Sequence, residues 1–262
     1  MTHPTSRVRG RALITGGSSG LGMAFARQLA DRGLDLVLVA RNPERLEGAV
    51  EELRGSGVKV ETISADLADE SGVKAVARRL GSVESPVDVF VNNAGSGLYA
   101  KMATADASEL VAGAQLMAIA PMVLGGAAAA AMKERGTGLI INTSSMSGAV
   151  PMGAYSAIKA FVRVWSDSLA IEVAPFGVQV VTFIPGWVRT QFHARTGVST
   201  SSIPDFLWLD ADRVVAECLA DADKGKTTST PSKRFKAIGF LAKHAPAAAV
   251  AVAVKKLNKG RR

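Results

Sequence analysis

Short apolar runs that alternate with helical patterns constrain this chain more than any other feature. The runs are too short for buried helices and are rich in β-branched residues, as expected for strands. Leu36–Ala40 is apolar at every position, which is typical of a parallel strand buried on both faces. The predicted strands are Arg11–Thr15, Leu36–Ala40, Val58–Ile63, Val87–Val91, Leu139–Thr143 and Val178–Ile184, and the predicted helices are Leu21–Arg32, Pro43–Leu53, Glu70–Leu80, Ser108–Arg135 and Ala154–Ala174. This alternation predicts an α/β fold built on a doubly wound parallel sheet.

The length and the charge distribution predict one domain with a distinct C-terminal extension. A chain of 262 residues is long enough for one large α/β domain, and no linker precedes about residue 224. We predict the domain over residues 1–223 and a basic, partly apolar helical extension over residues 224–262, packed on or beside it. Eleven of the 31 Lys and Arg residues, and none of the 23 Asp and Glu residues, lie in this extension. The basicity therefore belongs to the extension, which argues against a nucleic-acid-binding face on the main fold.

The first predicted strand is followed by a glycine-rich turn, Thr15-Gly16-Gly17-Ser18-Ser19-Gly20-Leu21-Gly22, and then by a helix. Glycines at this place let the backbone approach a diphosphate, and the helix N-terminus supplies free N–H groups. The candidate cofactor-binding residues of this Rossmann-type turn are Gly16, Ser18, Ser19, Gly20, Leu21 and Gly22. The alternative is an ordinary tight turn.

The ends of the second and third strands bear on the choice of cofactor. Arg41 follows the second strand, where a site for NAD would have an acidic residue on the ribose. A guanidinium suits a 2′-phosphate by charge and geometry, so the pattern favours NADP(H) over NAD(H). Asp66 and Leu67 follow the third strand and are candidates for the adenine edge. The alternatives are a solvated arginine at 41 and a helix N-cap at 66.

Two further strand ends carry candidate cofactor contacts. Asn93, Ala94 and Gly95 follow the fourth strand, where small residues permit close approach and amides can tie strands together. After the sixth strand we select Pro185, Gly186, Val188 and Thr190, with the Thr190 hydroxyl near the phosphates. Plain turns are the alternative for both segments. The apolar segment Val188–Trp208 is expected to form a mobile lid over the substrate.

A candidate catalytic group is carried by the fifth strand and the helix after it. Hydroxyl residues, Ser145 among them, collect at the carboxyl end of the strand, where open α/β sheets bind ligands. Tyr155 and Lys159 are four residues apart, so they share one face of the next helix. A hydroxyl facing this pair is suited to reversible proton transfer at a carbonyl oxygen. The alternative for Tyr155 is a half-buried structural tyrosine.

Taken together, these motifs resemble the short-chain dehydrogenase/reductase superfamily over roughly residues 10–192. The matching segments are the TGxxxGxG turn, NNAG, a serine-ended strand, YxxxK and PGxVxT, in this order. The resemblance implies Tyr155 as general acid/base, Lys159 as a ligand of the nicotinamide ribose that lowers the tyrosine pKa, and Ser145 as the group that orients the carbonyl. It also implies a homo-oligomer, as a symmetric dimer or tetramer.

The chain departs from this family in two places. Met117 occupies the position where relatives usually have an asparagine that helps to hold a water molecule in the proton relay. The loop from Ser145 to Tyr155 is also about three residues shorter than in most relatives, which leaves Ser144 as an alternative working hydroxyl. These departures motivate a rival hypothesis, a catalytically weak NADP(H)-binding sensor or scaffold.

The C-terminal part loosely resembles actinobacterial reductases of long-chain 3-oxo acyl lipids, including mycolate precursors. This likeness rests on Ile203–Trp208, the helix after it, and the basic extension with His244-Ala245-Pro246. Phe235–Ala245 and Ala247–Leu257 are apolar stretches edged by lysines, which favours an amphipathic surface helix. Such a helix could lie on an anionic membrane or close over an apolar substrate. Packing on the domain or at a subunit interface is the alternative.

The sequence therefore predicts an NADPH-dependent enzyme that reduces a ketone, on a small-molecule or lipid substrate, with Tyr155 as proton donor. We expect no stretch of membrane-spanning length, no metal site and no nucleic-acid partner. The single cysteine, Cys218, and the polar N-terminus favour a reducing compartment, so a cytoplasmic location is expected, with peripheral contact to the inner membrane face through residues 224–262.

Overall fold

The computed structural model describes residues 10–190 and 204–246, together with residues 252 and 254. Its sheet contains seven parallel strands in the order β3-β2-β1-β4-β5-β6-β7. The strands are β1 Arg11–Thr15, β2 Asp35–Ala40, β3 Val60–Ser64, β4 Val89–Asn92, β5 Gly138–Thr143, β6 Val178–Phe183 and β7 Thr228–Ser229. The predicted doubly wound α/β fold is thus confirmed.

The helices lie on both faces of this sheet. They are α1 Gly20–Asp31, α2 Pro43–Leu53, α3 Glu70–Leu80, α4 Ser108–Ala114, α5 Ala120–Arg135, α6 Ala154–Val173, α7 Ala211–Asp223 and α8 Lys233–His244. One core cluster lies between the sheet and helices α1, α2 and α7, and a second lies between the sheet and helices α3, α5 and α6. The central strands are buried on both faces, which explains their mostly apolar sequences.

The long predicted helix over residues 108–135 is interrupted in the structure. Gln115–Ile119 forms a π turn between α4 and α5, in which the N–H of Ala120 bonds to the carbonyl of Gln115. Pro121 follows directly and has no N–H to continue the α-helical pattern. A single π turn inside an α-helix is frequently found at a functional site.

This interrupted helix corrects one expectation from the sequence. Within the described part of the chain, the helical stretch Ser108–Arg135 is 28 residues long and reaches a mean hydropathy of 1.7 over 18 residues. By length and composition this is enough to cross a membrane. The prediction that no stretch reaches that length is therefore wrong by this measure. In the fold, α5 packs against β4, β5 and α3, which is the place of a sheet-covering helix.

Both strand β7 and helix α8 come from the basic segment after residue 223. Strand β7 pairs with β6 through Thr182 and Phe183, and a helix forms over the first of the two apolar stretches predicted there. Most of the second stretch, Ala247–Leu257, lies outside the described residues. Cys218 on α7 is fully buried, and this burial raises the pKa of its thiol.

Candidate active site

The carboxyl ends of β1 and β4 meet at the point where the strand order reverses, which is where open α/β sheets bind ligands. The Thr15 hydroxyl accepts hydrogen bonds from the N–H groups of Asn93 and Ala94, at 2.9 and 3.0 Å. The Asn93 side-chain amide returns a bond to the Thr15 carbonyl at 3.1 Å. These bonds fix the Asn93–Gly95 segment against the end of β1, beside the glycine-rich turn.

The glycine-rich turn leaves no space for side chains at its centre. A Cβ atom on Gly22 would lie 2.0 Å from the Gly16 carbonyl oxygen and 2.9 Å from the Asn93 amide nitrogen. Gly16 has φ of +69° and donates its N–H to the Val39 carbonyl at 2.8 Å. Thr190, the predicted phosphate-side hydroxyl, contacts the same turn at Gly20. The segment after β6 therefore returns to the turn after β1.

The N-terminus of α1 has the chemistry of an anion site. Ser19 is the N-cap residue, but its side chain makes no capping bond, and the first turn contains no acidic residue. The backbone around Ser18, Ser19 and Leu21 is thus free of a competing carboxylate at the positive end of the helix. Together with the glycine cradle, this arrangement fits the diphosphate of a dinucleotide.

Arg41 and Asp66 lie next to each other at the adjacent strand ends. The Arg41 guanidinium is 67% exposed and contacts the Asp66 carboxylate at 3.5 Å. Asp66 also accepts the N–H of Ala68 at 2.8 Å, so one oxygen stabilises the local turn. Leu67 is buried. The exposed Arg41 guanidinium can turn toward a phosphate without breaking a buried contact. This position is compatible with the 2′-phosphate of NADP(H) and with the ribose of NAD(H).

The three candidate catalytic side chains meet at the end of β5. Ser145 is followed by a 3-10 turn, Met146–Ala149, and shares a side-chain hydrogen bond with Tyr155. The Lys159 ammonium is 5.8 Å from the centre of the Tyr155 ring and donates to the Thr143 carbonyl at 2.9 Å. The structure therefore brings together a hydroxyl, a phenol and an ammonium, as their sequence spacing predicts.

Burial changes the acid–base properties of two of these groups. Lys159 is 4% exposed, and this burial lowers its pKa to about 8. The pKa of Tyr155 is raised, first by burial and then by the nearby Tyr99, while the Ser145 hydrogen bond acts in the opposite direction. The phenol is therefore protonated at neutral pH and able to donate a proton.

Ser144, the alternative hydroxyl, is committed to a structural bond. It is buried, and its hydroxyl donates to the Lys159 carbonyl on α6 at 2.7 Å. Ser145 instead accepts from the N–H and the hydroxyl of Ser147, at 3.2 and 2.9 Å, on the side of Tyr155. The geometry thus favours Ser145 over Ser144 as the hydroxyl that meets a substrate.

The segment after β6 closes the other side of the site. The Pro185 carbonyl accepts the N–H of Met146 at 3.0 Å, which ties this segment to the residue after Ser145. Gly186 lies against the Phe235 ring, where a Cβ atom would come within 2.3 Å. Val188 is buried and forms a parallel bridge with Leu209. Most of the predicted lid Val188–Trp208, from 191 to 203, lies outside the described residues.

Comparison with known families now identifies the chain. The model of the short chain dehydrogenase family matches residues 11–199. The chain belongs to this family. It is an oxidoreductase with a fold that binds NAD(P).

Individual relatives of this short-chain dehydrogenase are reductases and dehydrogenases. The ketoacyl reductase HetN of Nostoc sp. is 30% identical over 82% of this chain and 76% of its own length. The very-long-chain 3-oxoacyl-CoA reductase of Podospora anserina is 32% identical over 74% of this chain and 58% of its own length. The short-chain dehydrogenase from Sphingobium yanoikuyae in complex with NADPH superposes with a TM-score of 0.82, at 31% identity over 97% of both chains.

Met117 stands where other short-chain dehydrogenases usually have an asparagine. It is fully buried in the π turn, and its sulfur accepts the N–H of Ser96 at 3.4 Å and lies against Gly95. The side chain therefore fills space behind the Asn93–Gly95 segment and offers a weak acceptor in place of an amide.

Sequence reasoning missed two features near the site. Tyr99 lies close enough to influence Tyr155 but falls in a loop with no motif of its own. A buried chain of bonds also connects three strands to α6: Asn92 donates to Asn142 at 3.1 Å, Asn142 donates to Ser166 at 3.0 Å, and the Thr182 hydroxyl, which donates to Asp167 at 2.7 Å, accepts from Ser166 at 2.9 Å. The polar residues at strand ends were visible in the sequence, but their pairing depends on the strand order.

Proposed function

We propose that this short-chain dehydrogenase is an NADPH-dependent reductase that converts a ketone on a hydrophobic acyl substrate to the alcohol. The observation that carries the proposal is the cluster of Ser145, Tyr155 and Lys159 at the carboxyl edge of the sheet, beside a cradle suited to a dinucleotide. The coarser activity, NAD(P)-dependent ketone reduction, is supported by the ketoacyl reductases among its relatives.

Tyr155 acts as the proton donor in this proposal. Its raised pKa keeps the phenol protonated at neutral pH, which suits reduction, because the alkoxide formed from the ketone must take up a proton. Lys159 is held by the Thr143 carbonyl, so its ammonium stays near the ring and stabilises the phenolate left after transfer. Ser145 donates a hydrogen bond to the carbonyl oxygen as negative charge develops on it.

NADPH would supply the hydride, and the chain supplies its binding site. Gly16, Ser19 and Gly22 would hold the diphosphate at the N-terminus of α1, and Arg41 would pair with the 2′-phosphate. Exchange of its Asp66 contact for a phosphate leaves the guanidinium paired in both states.

The cofactor choice is tested by titration with NADPH and NADH separately, following nicotinamide fluorescence. Wild-type protein should bind NADPH at least about tenfold more tightly than NADH, which is about 1.4 kcal/mol. Arg41→Ala should remove most of this difference while leaving NADH affinity within about twofold. Equal affinities in the wild type, or an unchanged preference in the variant, would contradict the assignment.

The substrate class rests on the surroundings of the cluster and on the relatives. Met146 lies next to Ser145, and Tyr99 lies near Tyr155, so two large side chains that can contact an apolar chain lie beside the cluster. HetN is a ketoacyl reductase by name, and the Podospora relative is named for very-long-chain 3-oxoacyl-CoA. A 3-oxo acyl thioester is therefore the substrate to try first.

Tyr155→Phe separates the enzyme from the rival sensor or scaffold. In an enzyme this variant should lose at least about a thousandfold in kcat with a 3-oxo acyl substrate, while NADPH affinity changes by less than about threefold. Retention of activity in the variant would refute the proton-donor role. A wild-type protein that binds NADPH yet turns over no substrate in the series would favour the sensor, to which Met117 in place of asparagine points.

We also propose that the protein is a cytoplasmic homo-oligomer. The outer faces of the helix over Ser108–Arg135 and of α6 carry stripes of exposed small or apolar residues at spacings of three, four or seven. The main members of this two-helix face are Ala112, Ile119, Val123, Gly126 and Ala130 on the first helix, and Ala157, Phe161, Val164 and Ile171 on α6. Such a stripe suits the packing of helices from a second copy.

A further inference from the structure

Helix α8 is anchored to the domain through one face. Phe235 is 2% exposed and packs on Gly186 and edge-on against Trp187, with ring centres 5.9 Å apart. One turn later Gly239 contacts Met146, the residue after Ser145. The helix is therefore a fixed part of the wall around the candidate active site.

The opposite face of α8 exposes large apolar side chains. Phe240 and Leu241 are 65% and 64% exposed on this face, and Ile238, only about 60° around the helix from Phe235, is 39% exposed at its flank. At 100° per residue, Phe240 and Leu241 lie about 120 to 140° around the helix from Phe235. Phe206, on the neighbouring 3-10 turn Asp205–Leu207, is also exposed and is tied to α8 by a hydrogen bond from Arg234 to its carbonyl.

Basic residues accompany this apolar face. Lys233, Arg234 and Lys236 on α8 are exposed, and α8 has no acidic residue. From Lys224 to Arg262 the sequence contains eleven basic residues and no acidic one. Of the nearby carboxylates, Asp205 is paired with Arg189 at 2.8 Å and Asp221 with Lys226, and Lys236 also contributes to lowering the pKa of Asp221. We call Phe240, Leu241, Ile238 and these three basic residues the α8 patch.

A second copy of the chain and an anionic lipid surface are the two candidates for binding the α8 patch, and the charge of the patch decides between them. A second copy placed on the α8 patch would bring like charges together, whereas the two-helix face of α5 and α6 is nearly free of charge along its stripe. An anionic lipid surface complements both parts of the α8 patch, because exposed Phe and Leu enter the acyl boundary while Lys and Arg meet the headgroups. We propose that α8 docks the protein on an anionic bilayer.

Docking through α8 has a consequence that rests on the proposed function. Since Gly239 contacts the residue after Ser145, a bilayer on the outer face of α8 would lie about one helix diameter from the start of the catalytic loop. A ketone carried by a membrane-partitioned acyl chain would then be concentrated close to the cluster.

The test is flotation of the full-length protein with vesicles of phosphatidylcholine alone or with 30% phosphatidylglycerol, at low and high salt. Wild-type protein should float only with the anionic vesicles and lose binding at high salt. Phe240→Ser with Leu241→Ser should reduce the bound fraction at least about tenfold. Lys233→Gln with Lys236→Gln should reduce the partition coefficient by roughly fivefold per charge.

Matched controls come from exposed residues far from α8. Val83→Ser and Lys59→Gln, the latter beside β3 at the opposite edge of the sheet, should float like the wild type, and thermal unfolding should show that every variant is folded. Equal flotation of the α8 variants and wild type, or equal binding to both vesicle types, would overturn the proposal. If the wild type does not bind vesicles and the Phe240/Leu241 variant changes its oligomeric mass, the α8 patch is instead a contact with a second copy of the chain. Because flotation needs no turnover, an inactive protein would leave this result unaffected.

Discussion

Ser144 and Ser145 are neighbours in the chain, yet their hydroxyl groups have different partners. Ser144 bonds to the Lys159 backbone, and Ser145 bonds to the Tyr155 side chain. The sequence predicts a working hydroxyl at the end of β5 but does not decide which of the two serines carries it. The direction of each side chain depends on how α6 packs on the strand. The alternation of side chains along extended backbone sends the two in different directions.

The two serines are therefore expected to differ on substitution. Ser145→Ala should lower kcat by about 100-fold or more, as for loss of one donor to a developing oxyanion, and should lower the free energy of unfolding by about 1 kcal/mol, because the cap of the 3-10 turn is lost. Ser144→Ala should lower the free energy of unfolding by a similar amount, because a buried carbonyl loses its donor, but should leave kcat within about threefold of wild type. Urea unfolding and steady-state kinetics on both variants make the comparison. The reverse pattern would assign the working hydroxyl to Ser144.

Lys159 should give stability an unusual pH dependence. Its folded pKa of about 8 lies below the ordinary 10.5, so between these values the unfolded chain binds more protons than the folded one. The unfolding free energy therefore rises with pH in that window, by up to about 1.4 kcal/mol per unit and about 3 kcal/mol in total. Below pH 8 Lys159 is charged in both the folded and the unfolded chain, so its contribution to the free energy of unfolding no longer changes with pH.

Urea titrations of cofactor-free wild type and Lys159→Met at pH 7 and pH 10 would isolate this contribution. Wild type should gain stability relative to the variant on going to the higher pH. Parallel behaviour of the two proteins would mean that the ammonium is not desolvated in the fold.

At the scale of elements, α5 and α6 approach closely through a glycine. A Cβ on Gly125 would lie 2.3 Å from the Trp165 ring, whereas a Cβ on the adjacent Gly126 would meet no atom within 4 Å. Gly125→Ala should thus lower the free energy of unfolding by about 1 to 3 kcal/mol. Gly48→Ala, in the interior of α2 where a Cβ would also meet no atom within 4 Å, is the matched control and should raise it by about 0.5 to 1 kcal/mol through helix propensity. Similar effects from both, measured by urea unfolding, would contradict the close packing seen here.

The six predicted strands and the predicted helices agree with the structure within about two residues at their ends, but the break in the helix over 108–135 and strand β7 were not predicted. Strands β1, β2 and β6 are mostly apolar and buried, and their ends follow from the turn residues beside them. Strand β7 has two residues and so carries no periodicity. The π turn lies within an apolar helix, where only Pro121 marks a disturbance. The same helix is the stretch of membrane-spanning length that was not predicted.

At the scale of the whole molecule, the two-helix face should control assembly. Val164 and Ile171 are 66% and 78% exposed on α6. Val164→Glu with Ile171→Glu would place charges in a desolvated interface, so it should reduce the oligomer to a monomer. Size-exclusion chromatography with light scattering checks this, and Val83→Glu is the control. A monomeric wild type would refute the proposed assembly, as would an unchanged mass in the variant.

Cys218 gives the molecule a practical property. The only thiol of the chain has no exposed surface and a pKa raised by its burial, so it is a poor nucleophile. The native protein should therefore behave toward maleimide dyes as if it had no cysteine. A single cysteine introduced at position 240 or 164 would carry the only label, and one fluorophore could then report which face of the molecule enters lipid and which meets another copy.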